Sequence, residues 1–433
     1  MRIFAALPRS AWVDLNLRRT LEEMGHQVVH FSFPGWPDDR DPAWQRTGKP
    51  RTNERLLACF RAALRDGPLD LFYSYLYSSV VYPTTIDLIR QTGVPTVNFS
   101  CNNVHQFELV ADIAPRFDVC VVPERAALER YRAVGARPVR IQLAANPRYY
   151  RPYPEPRVYD VTFVGQRYAD RDELLLHLHR NGIQVRAWGA GWQTSKRLDL
   201  LTVKAALALY EDEGTYGLRR LLKRGRRPES VTTGLRETHE AGSLKELLCA
   251  SRVAGRLLRG RRLLFESVGR LAPSEGPRGP SNGASLEVVP FGAPRLMHRD
   301  LVRTFSQSRV SLGFATAGES HRGPNRLTHL RLREFEAPMS GALYLTERQD
   351  ELDEYFRVGN EVLAYTDRDD LLDQVRYYLA HPEPAERVRR AGRQRALRDH
   401  TWQHRFSKLF AAVGVCQPGA SPFGKGQPQL YPR

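Results

Sequence analysis

Short apolar runs rich in β-branched and aromatic residues recur through the first 150 residues, separated by longer stretches whose apolar positions return every three or four residues. That rhythm belongs to parallel strands buried on both faces and joined by helices. Met1–Leu7, Gln27–Phe33, Leu69–Leu76, Pro95–Cys101, Phe117–Val122 and Val139–Leu143 predict strands, and Ala11–Met24, Asn53–Arg65, Thr84–Gln91 and Glu124–Val134 predict the helices between them. Residues 1–150 therefore read as a Rossmann-like domain. Ligands in such sheets sit beyond the carboxyl ends of the strands, so the informative loops are Pro8–Ser10, Tyr75–Ser79 and Ser100–Phe107. The first strand runs into Pro8-Arg9-Ser10 instead of Gly-x-Gly-x-x-Gly, which argues against a dinucleotide bound there.

A proline-rich connector, Asn146–Pro156, stiffens the passage to a second alternating series over 151–413. Val158–Gly165, Ile183–Trp188, Val310–Ala315, Ala342–Thr346 and Glu361–Thr366 predict strands, with helices at Arg171–Asn181, near Gln349–Phe356 and from Asp369 onward. The stretch from about 194 to 284 breaks the rhythm and reads as an insertion, with 18 Lys and Arg against 10 Asp and Glu. Within it, Leu244, Leu247, Leu248, Leu257, Leu258, Leu264 and Phe265 recur at roughly helical spacing with Arg252, Arg256, Arg259 and Arg262 between them. Such a basic amphipathic helix suits either an anionic lipid surface or packing of its apolar face on the second domain. Residues 414–433, rich in Pro, Gly, Ser and Gln, carry too little apolar surface to order themselves and read as a flexible tail.

A length of 433 residues fits two large domains with a cleft between them. The formal charge of +17 raises the question of nucleic acid, but only seven of the 65 basic residues are lysine and no zinc-finger, RNA-binding or basic-zipper pattern accompanies them. An anionic small molecule or an anionic membrane surface accounts for the charge equally well. The five cysteines are scattered, without Cys-x-x-Cys spacing, so neither a disulfide framework nor a zinc site is indicated. No apolar run approaches a membrane span, and Met1–Leu7 is too short for a secretory signal. A cytoplasmic protein is expected, with peripheral contact at the inner membrane surface as a variant.

The chemistry concentrates in Asn325–Thr346, read as a cation-rich helix start, two carboxylates, a small-residue turn and a buried strand. Backbone N–H groups at a helix start, with Arg331 and Arg333, suit a diphosphate. Glu336 on the same helix suits the hydroxyl pair of a sugar or ribose. A mixed-charge helix face in water is the plainer alternative. In the first domain, Ser100-Cys101-Asn102-Asn103-Val104-His105 follows a strand, and His105 is a candidate base or acceptor clamp.

Asp160–Arg171, Ala187–Trp192, Leu330–Thr346, Ala391–Arg393 and His400–Arg405 together resemble the CgeB-like (spore-protein-like) branch of the GT-B glycosyltransferases, whose C-terminal domain is of the family-4 type. The resemblance implies an α/β chain of two facing Rossmann-like domains, the first for an acceptor and the second for a nucleoside-diphosphate sugar. It implies no cofactor and no obligatory metal, the basic helical insertion lying in the second domain and the final helix crossing back to the first. Glycosyl transfer then needs cations on the departing diphosphate and a positioned acceptor hydroxyl. The expected donor side comprises Gly165, Gln166, Arg167, Asn325, Arg331, Arg333 and Glu336; the acceptor side comprises Ser10, Asn102 and Asn103; and His105 and Glu336 are the catalytic candidates. Related enzymes carry two glutamates on the donor helix with seven residues between them. Glu336 matches the second, while the first position falls on Thr328, which leaves stereochemistry open and keeps a catalytically silent, membrane- or glycan-associated protein as an alternative. Another sugar-nucleotide enzyme, a hydrolase or an epimerase, is the enzymatic alternative.

Overall fold

The computed structural model describes residues 1–35, 37, 39–192, 291–293, 296, 298–317 and 326–415. Among these residues twelve parallel strands form two sheets. In the first, β1 (Arg2–Pro8), β2 (Gln27–Phe33), β3 (Leu71–Ser74), β4 (Thr96–Phe99), β5 (Val119–Val122) and β6 (Pro138–Arg140) lie in the order β2-β1-β3-β4-β5-β6. In the second, β7 (Tyr159–Val164), β8 (Val185–Trp188), β9 (Gly292–Ala293), β10 (Ser308–Leu312), β11 (Tyr344–Glu347) and β12 (Leu363–Tyr365) lie in the order β12-β11-β10-β7-β8-β9.

Interior strands are continuous apolar runs because helices cover both their faces. Ile3 to Leu7 are wholly buried, whereas the edge strand β2 is buried only at Phe31 and Phe33. Pro138, which has no N–H to donate, opens the opposite edge strand β6, where its loss to the ladder is tolerated. The strands begin and end within two or three residues of the apolar runs. β9 and the helix His298–Gln307 fall in a stretch where the apolar pattern predicts neither.

Local chemistry sets the later helix ends. Asp367 accepts hydrogen bonds from the backbone N–H groups of Asp369 and Asp370 and starts Arg368–Ala380. Thr401 and His404 form a reciprocal cap at the start of Trp402–Val413, and Gly414 ends that helix in the left-handed conformation. This final helix packs on the first domain: Trp402 meets Trp12 and Phe99, Phe406 meets Tyr73, and Phe410 meets His26. Arg405, half-buried, donates to the carbonyls of Gln142 (2.8 Å), Leu143 (3.1 Å) and Asp399 (3.0 Å), which ties the helix to the chain leaving β6. Across the domain boundary Arg140 also bridges Glu351 (2.7 Å) and Glu354 (2.8 Å).

The proposed basic helix at about 194–284 lies outside the described residues, as does the tail from 416. Among the described residues no helix is long and apolar enough to cross a membrane.

Candidate active site

A cleft of about 510 Å³ opens between the carboxyl ends of the two sheets. Cys101, Asn102 and His105 form its first-domain wall; Gly165, Gln166, Tyr168, Arg171, Phe314, His329, Arg331 and Arg333 form most of the opposite one. Open parallel sheets place ligands in this position.

The floor of the second-domain wall depends on close backbone approach. Gly165 follows β7, and a Cβ there would lie 2.4 Å from the Phe163 ring. Gly189, at φ +146°, brings its backbone so near that a Cβ would lie 2.0 Å from the Gly165 carbonyl oxygen. Close packing of that loop explains Gly189 and Gly191, and Trp192 is buried with its indole N–H donating to Gly165 at 2.7 Å.

The arginines divide by partner. Arg167 pairs with Asp172 at 2.9 Å, lies over Trp192, and is not on the cleft wall. Arg333 is on the wall, but its guanidinium is ion-paired with Glu336. Arg331 and Arg171 differ from both. Arg331 donates from its guanidinium to the carbonyl of Thr316, and among the described residues its buried Nε has no partner. Arg171 is 4% exposed; it donates to the carbonyl of Gln166 (2.8 Å) and the Tyr168 hydroxyl (2.8 Å), and its Nε is likewise unpaired. Among the described residues neither has a carboxylate ion-pair partner. Burial, with Arg331 nearby, pulls the Arg171 pKa down to about 10, which leaves it charged at neutral pH. Two unneutralised guanidinium groups at one cleft wall make a site for an anion.

The sequence reading places Arg331 on a helix; the structure does not. The helix is Arg333–Met339, and Arg331 sits in the loop before it, its backbone N–H donating to Glu334 at 2.8 Å. Glu334 holds that loop against the helix by accepting this bond, and burial pushes its carboxyl up to about 7. Glu336 is fully buried and faces Arg333 and Tyr150, so the hydroxyl-binding carboxylate expected in the cleft lies behind its wall.

On the first-domain side, Asn102 adopts the left-handed conformation (φ 66°) and faces the cleft. The buried Glu124, just past β5, holds it there by accepting from its backbone N–H at 2.5 Å and from the Asn103 amide at 3.2 Å. Asn103 is itself buried, its carbonyl oxygen accepting from Ser100 and Tyr131, so it supports the loop and does not face an acceptor. Ser10 is exposed before the first helix and is not part of the wall; Asn325 lies outside the described residues. His105 lines the cleft, exposed, its pKa lowered by partial burial and by Arg331, so its ring is a free base at neutral pH. Its ring centre lies 6.0 Å from that of His329.

Arg171, Glu124 and His329 are absent from the sequence-based candidates. Arg171 carried a signal: a cation at the first position of a helix opposes the helix dipole, which points to a tertiary role. Glu124 and His329 carried none, since their partners are distant in the chain. Among the described residues no group of three or more His, Cys, Asp and Glu side chains is placed to hold a metal ion.

The two-sheet fold has known counterparts. The family described as Glycosyl transferase-like matches residues 261–411. The fold is GT-B. Sucrose-phosphate synthase from Thermosynechococcus elongatus aligns over 95% of this chain and 100% of its own, with a TM-score of 0.51 and 14% identity. Anabaena HepE, solved in complex with UDP-glucose, aligns over 96% and 100% with a TM-score of 0.51 and 11% identity. A glycosyltransferase from Rickettsia africae aligns over 95% and 97%, again with a TM-score of 0.51, at 10% identity. No curated protein matches the sequence.

Proposed function

We propose that the protein is a glycosyltransferase that binds a nucleoside-diphosphate sugar against its second domain and transfers the sugar to an acceptor held by the first. The observation that carries this is the pair Arg171 and Arg331, two guanidinium groups on the cleft wall without carboxylate partners among the described residues. The departing diphosphate develops negative charge, and fixed cations in a partly desolvated cleft stabilise it. In this reading arginines do so without a resident metal. Gly165 and Gln166 let the backbone approach the ligand, and Arg333, locked to Glu336, completes the wall. Across the cleft His105 is the free base nearest an incoming hydroxyl, and the loop fixed by Glu124 presents Asn102 beside it. The match to the Glycosyl transferase-like family over 261–411 supports the assignment, as does the fold shared with HepE, which binds UDP-glucose. Membership of the CgeB-like branch and a cytoplasmic site of action belong to the same proposal.

The experiment is a thermal-unfolding screen against UDP-, GDP-, ADP- and dTDP-sugars, followed by Arg171→Met. A ligand bound only by the native state raises the unfolding temperature. One nucleotide series is expected to do so in the wild type and to lose its effect in Arg171→Met; stabilisation unchanged by the substitution would place the donor elsewhere.

A further inference from the structure

Ahead of the helix Arg333–Met339 the chain passes the cleft with Thr328 bridged antiparallel to Thr316 and the His329 backbone N–H donating to the Ala315 carbonyl at 3.2 Å. Thr328 is exposed, whereas His329, 3% exposed, forms part of the cleft wall. Its Nδ1 lies 3.1 Å from the carbonyl oxygen of Leu330, which can only accept, so Nδ1 carries the hydrogen. That tautomer leaves a lone pair on Nε2, which is buried and, among the described residues, has no hydrogen-bond partner. Buried polar atoms are nearly always satisfied, and an acceptor at the wall of an open cleft is satisfied by what fills the cleft.

The surroundings keep the ring neutral. Burial first, then Arg331 and His105, push its pKa down to about 3, with Arg171 acting in the same sense. The opposing charge is Glu124, 3.9 Å from Nδ1, whose own carboxyl is raised by burial and already accepts from Asn102 and Asn103. Phosphate oxygens only accept, so a neutral imidazole lone pair has nothing to offer a diphosphate; it needs a donor.

We propose that His329 is a specificity-determining residue whose Nε2 accepts a hydrogen bond from a hydroxyl of the sugar in a nucleoside-diphosphate sugar. The inference rests on the donor reading above and extends it: the arginines take the diphosphate, and His329 checks that the attached sugar presents a hydroxyl beside His105. A site built around a buried acceptor discriminates strongly against ligands that leave it unpaired.

The test is calorimetry on the full chain with UDP-, GDP-, ADP- and dTDP-glucose and the four matching diphosphates. His329→Asn keeps a donor for the Leu330 carbonyl but is too short to reach the Nε2 position; His329→Gln reaches it with an amide oxygen. His329→Asn is expected to weaken the bound sugar nucleotide by ~5- to 100-fold while leaving its diphosphate within about twofold, and His329→Gln to recover most of the loss. Equal losses for both ligands, no loss in His329→Asn, or no recovery in His329→Gln would each overturn the assignment. If the wild type binds none of the sugar nucleotides, the donor reading falls and takes this inference with it. Wild-type binding that His329→Asn leaves unchanged overturns this inference alone.

Discussion

Arg331→Gln separates a ligand-binding arginine from a structural one. Among the described residues the Arg331 guanidinium donates to one backbone carbonyl, that of Thr316, and lies over the Tyr168 ring, and Gln can keep that hydrogen bond while losing the charge. A unit charge about 4 Å from a phosphate oxygen interacts by roughly 4 kcal/mol at an effective dielectric constant near 20. Two effects reduce the net loss: Arg171 is relieved of a like charge that helps lower its pKa, and part of the ligand's hydration returns. The net figure should fall in the range of a charge-assisted hydrogen bond, ~1.5–3 kcal/mol, or ~10- to 150-fold in Kd. The matched control is Arg167→Gln, because Arg167 is already neutralised by Asp172 and is turned from the cleft. Titration calorimetry with the nucleoside diphosphate found in the screen, at low ionic strength, reads both. Arg331→Gln should lose the predicted affinity, and Arg167→Gln should stay within about twofold. Equal affinity in Arg331→Gln and wild type, or an equal loss in Arg167→Gln, would refute the division of arginines by partner.

Glu334 titrates at about 7 in the fold against an ordinary 4.5, so between those values the native state binds more protons than the unfolded chain. Stability should therefore fall as pH rises from about 4.5 to 7 and level off above, by an amount on the order of 3 kcal/mol; urea unfolding across pH should show this slope in the wild type and a flatter one in Glu334→Gln. Gly189→Ala forces a Cβ to 2.0 Å from the Gly165 oxygen at a φ of +146°, and thermal unfolding should report a loss of ~2–4 kcal/mol. Arg405→Met strips three carbonyls of their donor and should cost ~3 kcal/mol by the same measurement. His105→Ala should leave diphosphate affinity within about twofold but lower the rate of sugar transfer or of hydrolysis to water by ~10²-fold or more.

Most strands were legible because each is a local pattern: a buried parallel strand is an apolar run whichever sheet receives it. The helices at Arg171–Arg180 and Arg368–Ala380 were legible for the same reason, through the periodicity of their apolar positions. β9 was not, since two residues, Gly292 and Ala293, make too short a run to register and pair with β8 only once the second sheet exists. Within the site, the loop Cys101–His105 and the cleft-facing Gly165, Gln166, Arg331 and Arg333 were accessible from their places after strands.

By itself the sequence determined two alternating series of strands and helices, the loops at their carboxyl ends, and an excess of arginine near one of them. Tertiary structure decided which arginines remain unneutralised. Arg167 and Arg171 stand four residues apart in one loop-to-helix stretch; one meets Asp172 outside the cleft, while the other lies buried among Phe163, Tyr168 and Phe314 with its charge unmatched by any described carboxylate. It also turned Glu336 behind the wall and His329 into it. Periodicity is a short-range property that a chain carries wherever it folds, whereas the pairing of a charge or the orphaning of a lone pair depends on neighbours that only the closed fold brings within a few ångströms.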